Sequence, residues 1–483
     1  MKKFMKKAIA LTCAAFTAVA LCTFSACNEE KVINAYDIAV QNGFQGDEAA
    51  WLLSLKGANG KDGESLDIQQ MYQIACEAGY EGSIVEFMKE LGFHFNMQED
   101  NDTTTINKNM TSVVNICCGF SKEVQVRVGR FETKTKTAVS ASAGSGVVVH
   151  MEKERGVAYI VTNYHVIYES SMNGISDCIW LYPYGARMSF ATGDTDGDGY
   201  LNDGVTQGNT KDGDGIKAKF IAGAMDYDIA LLEVNSTEIQ NSVLTAATLG
   251  DSNAATVGEK VFAIGNSNGY GISVTNGVIS VDSETITMSS TDGENRAVDY
   301  RVMRTDAAIN HGNSGGGLFN AQGELIGITN AKSVESETDN MGYALPITNV
   351  KYLLENMWSN TSSSKAGFVK RAWLGVETYI DSTKAEYKDG KVAISDSFVV
   401  SKVLGTGAAS VSTDEDKCLK VGDEIKSFTL GGETTVLTRR YFLNDLMLKI
   451  RKGDSVEFGI VRGGAEMTVT ITFDKDDYFV LYE

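Results

Sequence analysis

The chain has 483 residues and a mass of 52.1 kDa, with 43% hydrophobic and 22% charged residues. This length predicts about two to four compact units, and the composition is that of a folded globular protein, not a disordered one. Sixty-three acidic against 43 basic residues give a formal charge of −20, which excludes a basic nucleic-acid-binding surface, and only two prolines exclude a proline-rich stalk.

The first 26 residues read as an export signal. Four lysines lie within the first seven residues, and 8–24 are apolar or small. Phe24-Ser25-Ala26-Cys27 ends the segment and resembles the lipobox of bacterial lipoproteins. The resemblance implies cleavage before Cys27, lipidation of its sulfur and membrane attachment in the cell envelope, on the extracytoplasmic side. An ordinary signal peptide with an incidental cysteine is the alternative. Loss of the four lysines takes the charge from −20 to about −24, so the protein is expected to hang from its lipid, not lie on an anionic membrane. Of eight cysteines, five remain after Cys13, Cys22 and Cys27, with no metal-ligand spacing. Neighbouring Cys117 and Cys118 read as strand cysteines in or beside a core, with redox chemistry as the alternative.

Residues 27–96 read as a helical repeat module. Ala35–Gly46 (AYDIAVQNGFQG) matches Met71–Gly82 (MYQIACEAGYEG) at an offset of 36, each copy being a helix, a glycine turn and a second helix. A spacer or docking role fits better than a catalytic one. Residues 97–111 are polar and read as a linker.

Residues 112–355 alternate short apolar runs with glycine-rich turns, which predicts a β-barrel or sandwich. Three polar residues stand against this pattern. His165 follows the run Ala158–Thr162, Asp228 precedes the run Ile229–Val234, and Ser314 lies in Asn310–Gly317 (NHGNSGGG). Taken singly, each has a structural reading: a strand-end histidine, a turn aspartate, a loop serine. Together they are what acyl transfer needs. A serine hydroxyl is a weak nucleophile and requires an adjacent base. A histidine titrates in the range to take and return its proton. An acid at the other imidazole nitrogen fixes the tautomer and stabilises the imidazolium. The glycines let the backbone turn, so that the Gly312 and Ser314 N–H groups can form an oxyanion hole. The order His, Asp, Ser is that of chymotrypsin-like enzymes.

The same segments carry a family resemblance. Gly144–Val148, Thr162–Ile167, Asp226–Leu232, Gly258–Asn266, Thr305–Gly316 and Gly342–Ile347 resemble the HtrA/Deg family of trypsin-like serine proteases. The resemblance implies a mainly β fold with a chymotrypsin-like double antiparallel β-barrel. It also implies His165 as base, Asp228 as orienting acid and Ser314 as nucleophile, with no cofactor needed for catalysis. His311 and Gly317 stand where the family usually has proline. In trypsin-like folds the residue six before the serine helps form the base of the substrate pocket. Here it is Ala308, beside Ile309, which implies cleavage after small or medium apolar residues.

Between His165 and Asp228 lies an acidic insertion with six aspartates from Asp194 to Asp214. Asp194, Asp196 and Asp198 alternate as at the start of a calcium loop, with Asp203 as a later ligand, but Val205 stands where the twelfth-position acid belongs. A structural calcium site and a solvated acidic loop are both open.

Residues 356–370 are rich in Ser, Thr and Asn and read as a second linker. Residues 371–475 resemble a PDZ domain, with Trp373, Leu374, Gly375 and Val376 matching the carboxylate-binding loop, a helical run 442–450 and closing strands 453–462 and 467–472. The resemblance implies capture of peptide C-termini by β-augmentation; a generic small α/β domain is the alternative. The whole reads as a lipid-anchored serine endopeptidase acting on unfolded polypeptides, with homotrimerisation implied by the family and no nucleic-acid partner. A catalytically silent peptide-binding lipoprotein is the runner-up, and a calcium-responsive adhesion protein the third reading.

Overall fold

The computed structural model describes residues 101–482 apart from 173, 331–340, 363–365, 389–390, 411–413 and 415–417. The chain divides into two units, 1–100 and 101–483, and the described residues belong to the second. The export signal, Cys27 and the repeat module lie outside the described residues. Among the described residues no helix is long and apolar enough to cross a membrane.

The segment read as a linker at 97–111 is in part regular structure. Asn101–Met110 forms helix α1. Its polar sequence hides its anchors: Asp102 pairs with Lys260, and buried Asn109 donates through Nδ2 to Gly323 O at 3.1 Å.

Strands β1 (Val113–Arg127), β2 (Thr133–Glu152), β3 (Val157–Thr162), β4 (Cys178–Pro183), β5 (Ile216–Ala224) and β6 (Ile229–Asn235) close a six-stranded antiparallel barrel in the order β1-β2-β3-β6-β5-β4. Strands β7 (Lys260–Gly265), β8 (Ser273–Ser289), β9 (Ala297–Thr305), β10 (Gly317–Asn320), β11 (Glu324–Asn330) and β12 (Gly342–Pro346) follow in the order β11-β10-β7-β8-β9-β12, and β11 also pairs with β12. That last pairing closes a second barrel. The strand period of two explains why consecutive positions are apolar. Val114, Val148, Ile160 and Leu232 fill the first barrel, while Val113, Val147, Val161 and Leu231 point the other way, into a core shared with Ile264, Val302, Phe319 and Ile328 of the second. The site lies along this shared core.

Beyond Gly119 and its partner Cys178, β1 and β2 leave the barrel as a two-stranded ribbon turning at 128–132. The sequence changes with the structure: all eight residues of 113–120 are buried, and from Ser121 exposed positions alternate with half-buried ones. Cys117 and Cys118 are free and buried in the barrel part, where burial pushes the Cys117 thiol up to about 11 and Cys118 higher still.

Helix α2 is the single turn Tyr164–Ile167, α3 covers Thr237–Asn241, and α4 runs from Ile347 to Ser359, past the expected boundary at 355. Asn356, at the start of the second expected linker, is fully buried and works as a staple. Its Nδ2 donates to Lys370 O (3.0 Å) and Leu448 O (2.7 Å), and its Oδ1 accepts from Lys370 N (2.8 Å). Strand β13 (Val369–Ala372) pairs with the final strand, Phe479–Tyr482.

The C-terminal layer is an antiparallel sheet of β14 (Val376–Lys388), β15 (Lys391–Val403), β16 (Glu424–Leu430), β17 (Glu433–Val436), β18 (Ser455–Arg462) and β19 (Ala465–Thr472), with β14 at one edge. Helix α5 spans Arg440–Leu446, starting earlier and ending sooner than the expected run 442–450. Past Leu446 a turn continues, with Leu448 N donating to Asp445 O (3.1 Å) and Lys449 N to Leu446 O (3.0 Å), and Leu448 packs in the core shared by the barrels. Phe398, Phe428 and Phe458 pack under Leu443 and Leu446, each aromatic contributing about 1.5–3 kcal/mol by its burial.

Candidate active site

Strand β3 delivers the chain into α2, whose Tyr164, Val166 and Ile167 are buried and leave His165 turned to the surface of the barrel junction. Asp228 sits 63 residues later, between a 3₁₀ turn at Met225–Tyr227 and the apolar strand β6. It is fully buried and holds φ +51, a conformation that costs a non-glycine residue free energy. Its partners hold it there. His165 N donates to Oδ1 at 2.9 Å, His165 Nδ1 lies 2.7 Å from Oδ2, and Asn330 Nδ2 donates to Oδ2 at 2.9 Å. Asn163 Nδ2 donates to the Asp228 carbonyl at 2.9 Å. An ionised carboxylate only accepts, so the imidazole proton sits on Nδ1 and Nε2 is left as the base.

Ser314 is carried by the loop between β9 and β10. Asn313 N donates to Asn310 O (3.0 Å), Gly316 N to Asn313 O (2.8 Å), and Gly315 N to Thr329 O (2.9 Å), so the loop is pinned to β11. It is pinned to the first barrel as well. Ser145 N donates to Ser314 O at 2.8 Å, Ser145 Oγ donates to Gly312 O at 2.7 Å, and the same Oγ accepts from Asn266 N at 2.8 Å. Thr162 Oγ1 donates to Ser145 O at 2.7 Å, which ties the serine loop to the strand that ends just before His165.

Glycine is required twice here. Gly312 has φ +91, and a Cβ there would meet Asn266 O at 2.1 Å; Gly315 has φ +83, and a Cβ would meet Ser145 O at 2.2 Å. With its carbonyl engaged by Ser145, the Gly312 N–H meets no acceptor among the described residues. That is the state an oxyanion donor needs before substrate arrives.

Ala308 is exposed, and its carbonyl accepts from Thr275 Oγ1 at 2.9 Å and from Asn313 Nδ2 at 3.5 Å. Ile309 packs on the second barrel's core and against the first residue of β12, where a Cβ on Gly342 would stand 2.8 Å from Ile309 Cδ1. The acid of this segment, Asp306, is committed to Val278 N at 2.7 Å. The side chain of His311 is exposed, and its carbonyl accepts from Asn268 N at 2.7 Å.

In the acidic insertion the carboxylates of Asp194, Asp196 and Asp198 converge, their oxygens within 4.8 Å of one another. Asp203 is not part of this group. Asp194 accepts from Gly197 N (2.7 Å) and Gly199 N (3.0 Å), and Asp198 is paired with Lys136 Nζ at 2.7 Å. Lys136 thus offsets part of the group's negative charge, and the donor set falls short of a complete calcium loop. The insertion instead braces the ribbon. Val139 N donates to Gly199 O (3.1 Å), Leu201 N donates to Thr137 O (2.8 Å), and Lys136 Nζ also stands 4.5 Å from the centre of the Tyr200 ring.

In the C-terminal layer, Trp373–Val376 turns from β13 into edge strand β14. The carbonyls of Trp373, Leu374 and Gly375 accept from Ala408 N (3.3 Å), Ala409 N (3.0 Å) and Leu404 N (2.7 Å). The N–H groups of Leu374 and Gly375 meet no acceptor among the described residues. Arg440, the first residue of α5, donates from Nη1 to Thr378 O on β14 at 3.3 Å and so crosses the slot between helix and edge strand.

Asn330, Asn163, Ser145 and Thr162 carry the hydrogen bonds of the site, yet sequence reasoning gave none of them a role. Asn163 and Ser145 lie inside matched motifs, which was the available signal. Asn330 lies at a strand end with no local signature, and 102 residues separate it from Asp228.

Residues 144–328 match the family described as trypsin-like peptidase domain. The chain is 31% identical over 341 residues to the serine protease Do-like HtrA of Bacillus subtilis (strain 168), covering 69% of this chain and 64% of that protein. It is 32% identical over 276 residues to the periplasmic serine endoprotease DegP of Salmonella typhimurium, covering 57% of this chain and 52% of that one. The chain thus spans less than two thirds of the length of these relatives. Among solved structures it is similar to the HtrA-type protease AlgW with decapeptide, with a TM-score of 0.45 and 23% identity over 79% of this chain and 98% of that one.

Proposed function

We propose that this chain, which carries a trypsin-like peptidase domain and is a homologue of the HtrA and DegP serine proteases, is a serine endopeptidase acting on unfolded polypeptides. The observation that carries the reading is buried Asp228, whose carboxylate takes three donors, two of them from His165. Nothing in the fold needs such a group beside a half-exposed histidine, whereas acyl transfer does.

In this mechanism His165 Nε2 takes the Ser314 hydroxyl proton as Oγ bonds to the scissile carbonyl carbon. The oxyanion is met by the N–H groups of Gly312 and Ser314. Asp228 stabilises the imidazolium, which then protonates the leaving amine as the C–N bond breaks. Water repeats the sequence on the acyl-enzyme and releases the acid. All these groups come from the chain itself, so catalysis needs no cofactor.

The finer assignments are part of the same proposal. Ala308 and Ile309, with no unpaired acid beside them among the described residues, favour cleavage after small or medium apolar residues. The unpaired N–H groups in Trp373–Val376, next to edge strand β14, favour capture of a peptide carboxylate by a PDZ-like domain. Cys27 is assigned as the lipid anchor of a protein on the extracytoplasmic side of the cell envelope, and a homotrimer as its assembly. Casein digestion tests the core of the reading. Ser314→Ala should lose activity by a factor on the order of 10⁵–10⁶ while keeping its fold, and digestion by the variant at the parent's rate would refute it.

A further inference from the structure

The charge of this protein is unevenly spread. The chain carries −20 overall, and at the base of the ribbon Lys136 is taken up by Asp198, but the tip, residues 127–134, holds Arg127, Arg130 and Lys134 against the single acid Glu132. The ribbon extends for seven residue pairs beyond Phe120, from Ser121↔Val139 to Arg127↔Thr133, a reach of roughly 20 Å. Its tip is apolar as well as cationic. Phe131 is 96% exposed and Val128 is 46% exposed, both flanked by exposed Arg127, Arg130 and Lys134.

The tip is prebuilt. Val128 N and Gly129 N both donate to Glu132 O, at 3.0 and 3.3 Å. Arg127 donates from Nη2 to Arg130 O at 2.6 Å and from Nε to Gly129 O at 3.2 Å. Among the described residues neither Arg130 nor Lys134 pairs with a carboxylate. The Arg130 guanidinium stands 5.9 Å from the centre of the Phe131 ring, a cation–π contact that holds cation and ring together at the tip while the ring stays 96% exposed.

We propose that this tip docks on an anionic lipid surface, with Phe131 entering the interfacial region and Arg127, Arg130 and Lys134 facing the headgroups. The chemistry is that of peripheral membrane attachment, in which apolar insertion and attraction to anionic lipid add. A protein partner fits less well. A stable protein interface buries about 800 Å² on each side, and a convex turn of five residues does not offer that area. Charge complementarity also selects an anionic surface. The expectation from composition, that a protein this acidic stays off such a membrane, concerns the net charge, whereas the tip presents three cations against one acid.

The test uses the full chain and is independent of any lipid anchor. Phe131→Trp is compared with the unsubstituted chain on vesicles whose acyl chains are brominated, either phosphatidylcholine alone or rich in phosphatidylglycerol. The fluorescence added by Phe131→Trp should be quenched on the phosphatidylglycerol vesicles, much less on phosphatidylcholine, and less at high salt. Adding Arg127→Ser, Arg130→Ser and Lys134→Ser should weaken tip binding by about fivefold per cation, on the order of 100-fold together. Circular dichroism checks that the fold survives these surface changes. No quenching on either vesicle, equal quenching on both, or quenching unmoved by the triple change overturns the proposal. A blue shift that grows with protein concentration in the absence of lipid assigns the tip to an interface between copies and also overturns it.

Discussion

Asp228 shows how one residue draws its role from distant parts of the chain. Its left-handed backbone is held by groups at 163, 165 and 330, from both barrels. His165, Asp228 and Ser314 stand out in the sequence because each lies in a motif next to a strand. Asn330 could not, because its role depends on the closure of the second barrel. Asn330→Ala removes one of three donors to a buried carboxylate, a hydrogen bond to a charged group worth about 1.5–3 kcal/mol. Proteolysis should fall about tenfold in kcat with KM little changed. The loss comes from a less firmly oriented carboxylate and imidazole, so the denaturation midpoint should stay close to the parent's. A purely structural role would instead lower the folded fraction and leave kcat per folded molecule unchanged.

At the scale of elements, the strands of the peptidase region were legible from alternating or continuous apolar runs, and what misled was polar composition. Residues 101–110 and Asn356 looked like linker because their polar side chains are used for specific hydrogen bonds rather than for solvation. The acidic insertion likewise uses its polar side chains for specific contacts. Its aspartates suggested a metal, but the charge that meets Asp198 is Lys136, supplied by a ribbon 62 residues earlier. Millimolar calcium should therefore give no calorimetric heat and leave the melting temperature unmoved by chelator; a clear stabilisation would restore the metal site. Lys136, together with the Tyr200 N–H, holds the Asp198 carboxyl below the usual carboxylate range. A lowered folded value means that the brace contributes stability above the ordinary aspartate value of about 3.9 and loses it as pH falls through the lower, folded value. Hydrogen exchange at 133–139 should stay protected at neutral pH and rise only below about pH 4.

At the scale of the whole described unit, the C-terminal layer meets the second barrel at a buried pair, with Arg439 Nη1 to Asp282 at 3.2 Å and the packing of Leu448 as further contacts. Arg301 of β9 meets Asp445 of α5, Asn349 Nδ2 donates to the other Asp445 oxygen at 2.7 Å, and the Arg301 guanidinium stacks 3.8 Å from the centre of the Tyr441 ring. Burial pushes the Asp445 carboxyl up, against the attraction of Arg301. Arg301→Met leaves that carboxylate buried without its partner and should cost about 3–5 kcal/mol in denaturant unfolding, while Arg301→Met with Asp445→Leu should recover most of the loss. Equal destabilisation by the double change would mean that the pair is not what joins the layers. None of this was legible in the sequence, where the two partners are 144 residues apart and each reads as an ordinary surface charge. The central claim, an activated Ser314, is tested most directly by a fluorophosphonate probe on the folded chain. The account predicts one adduct, mapped to Ser314 by mass spectrometry, formed slowly if at all in His165→Ala and absent after denaturation. A folded chain that stays unlabelled, or carries the adduct on another residue, would contradict it.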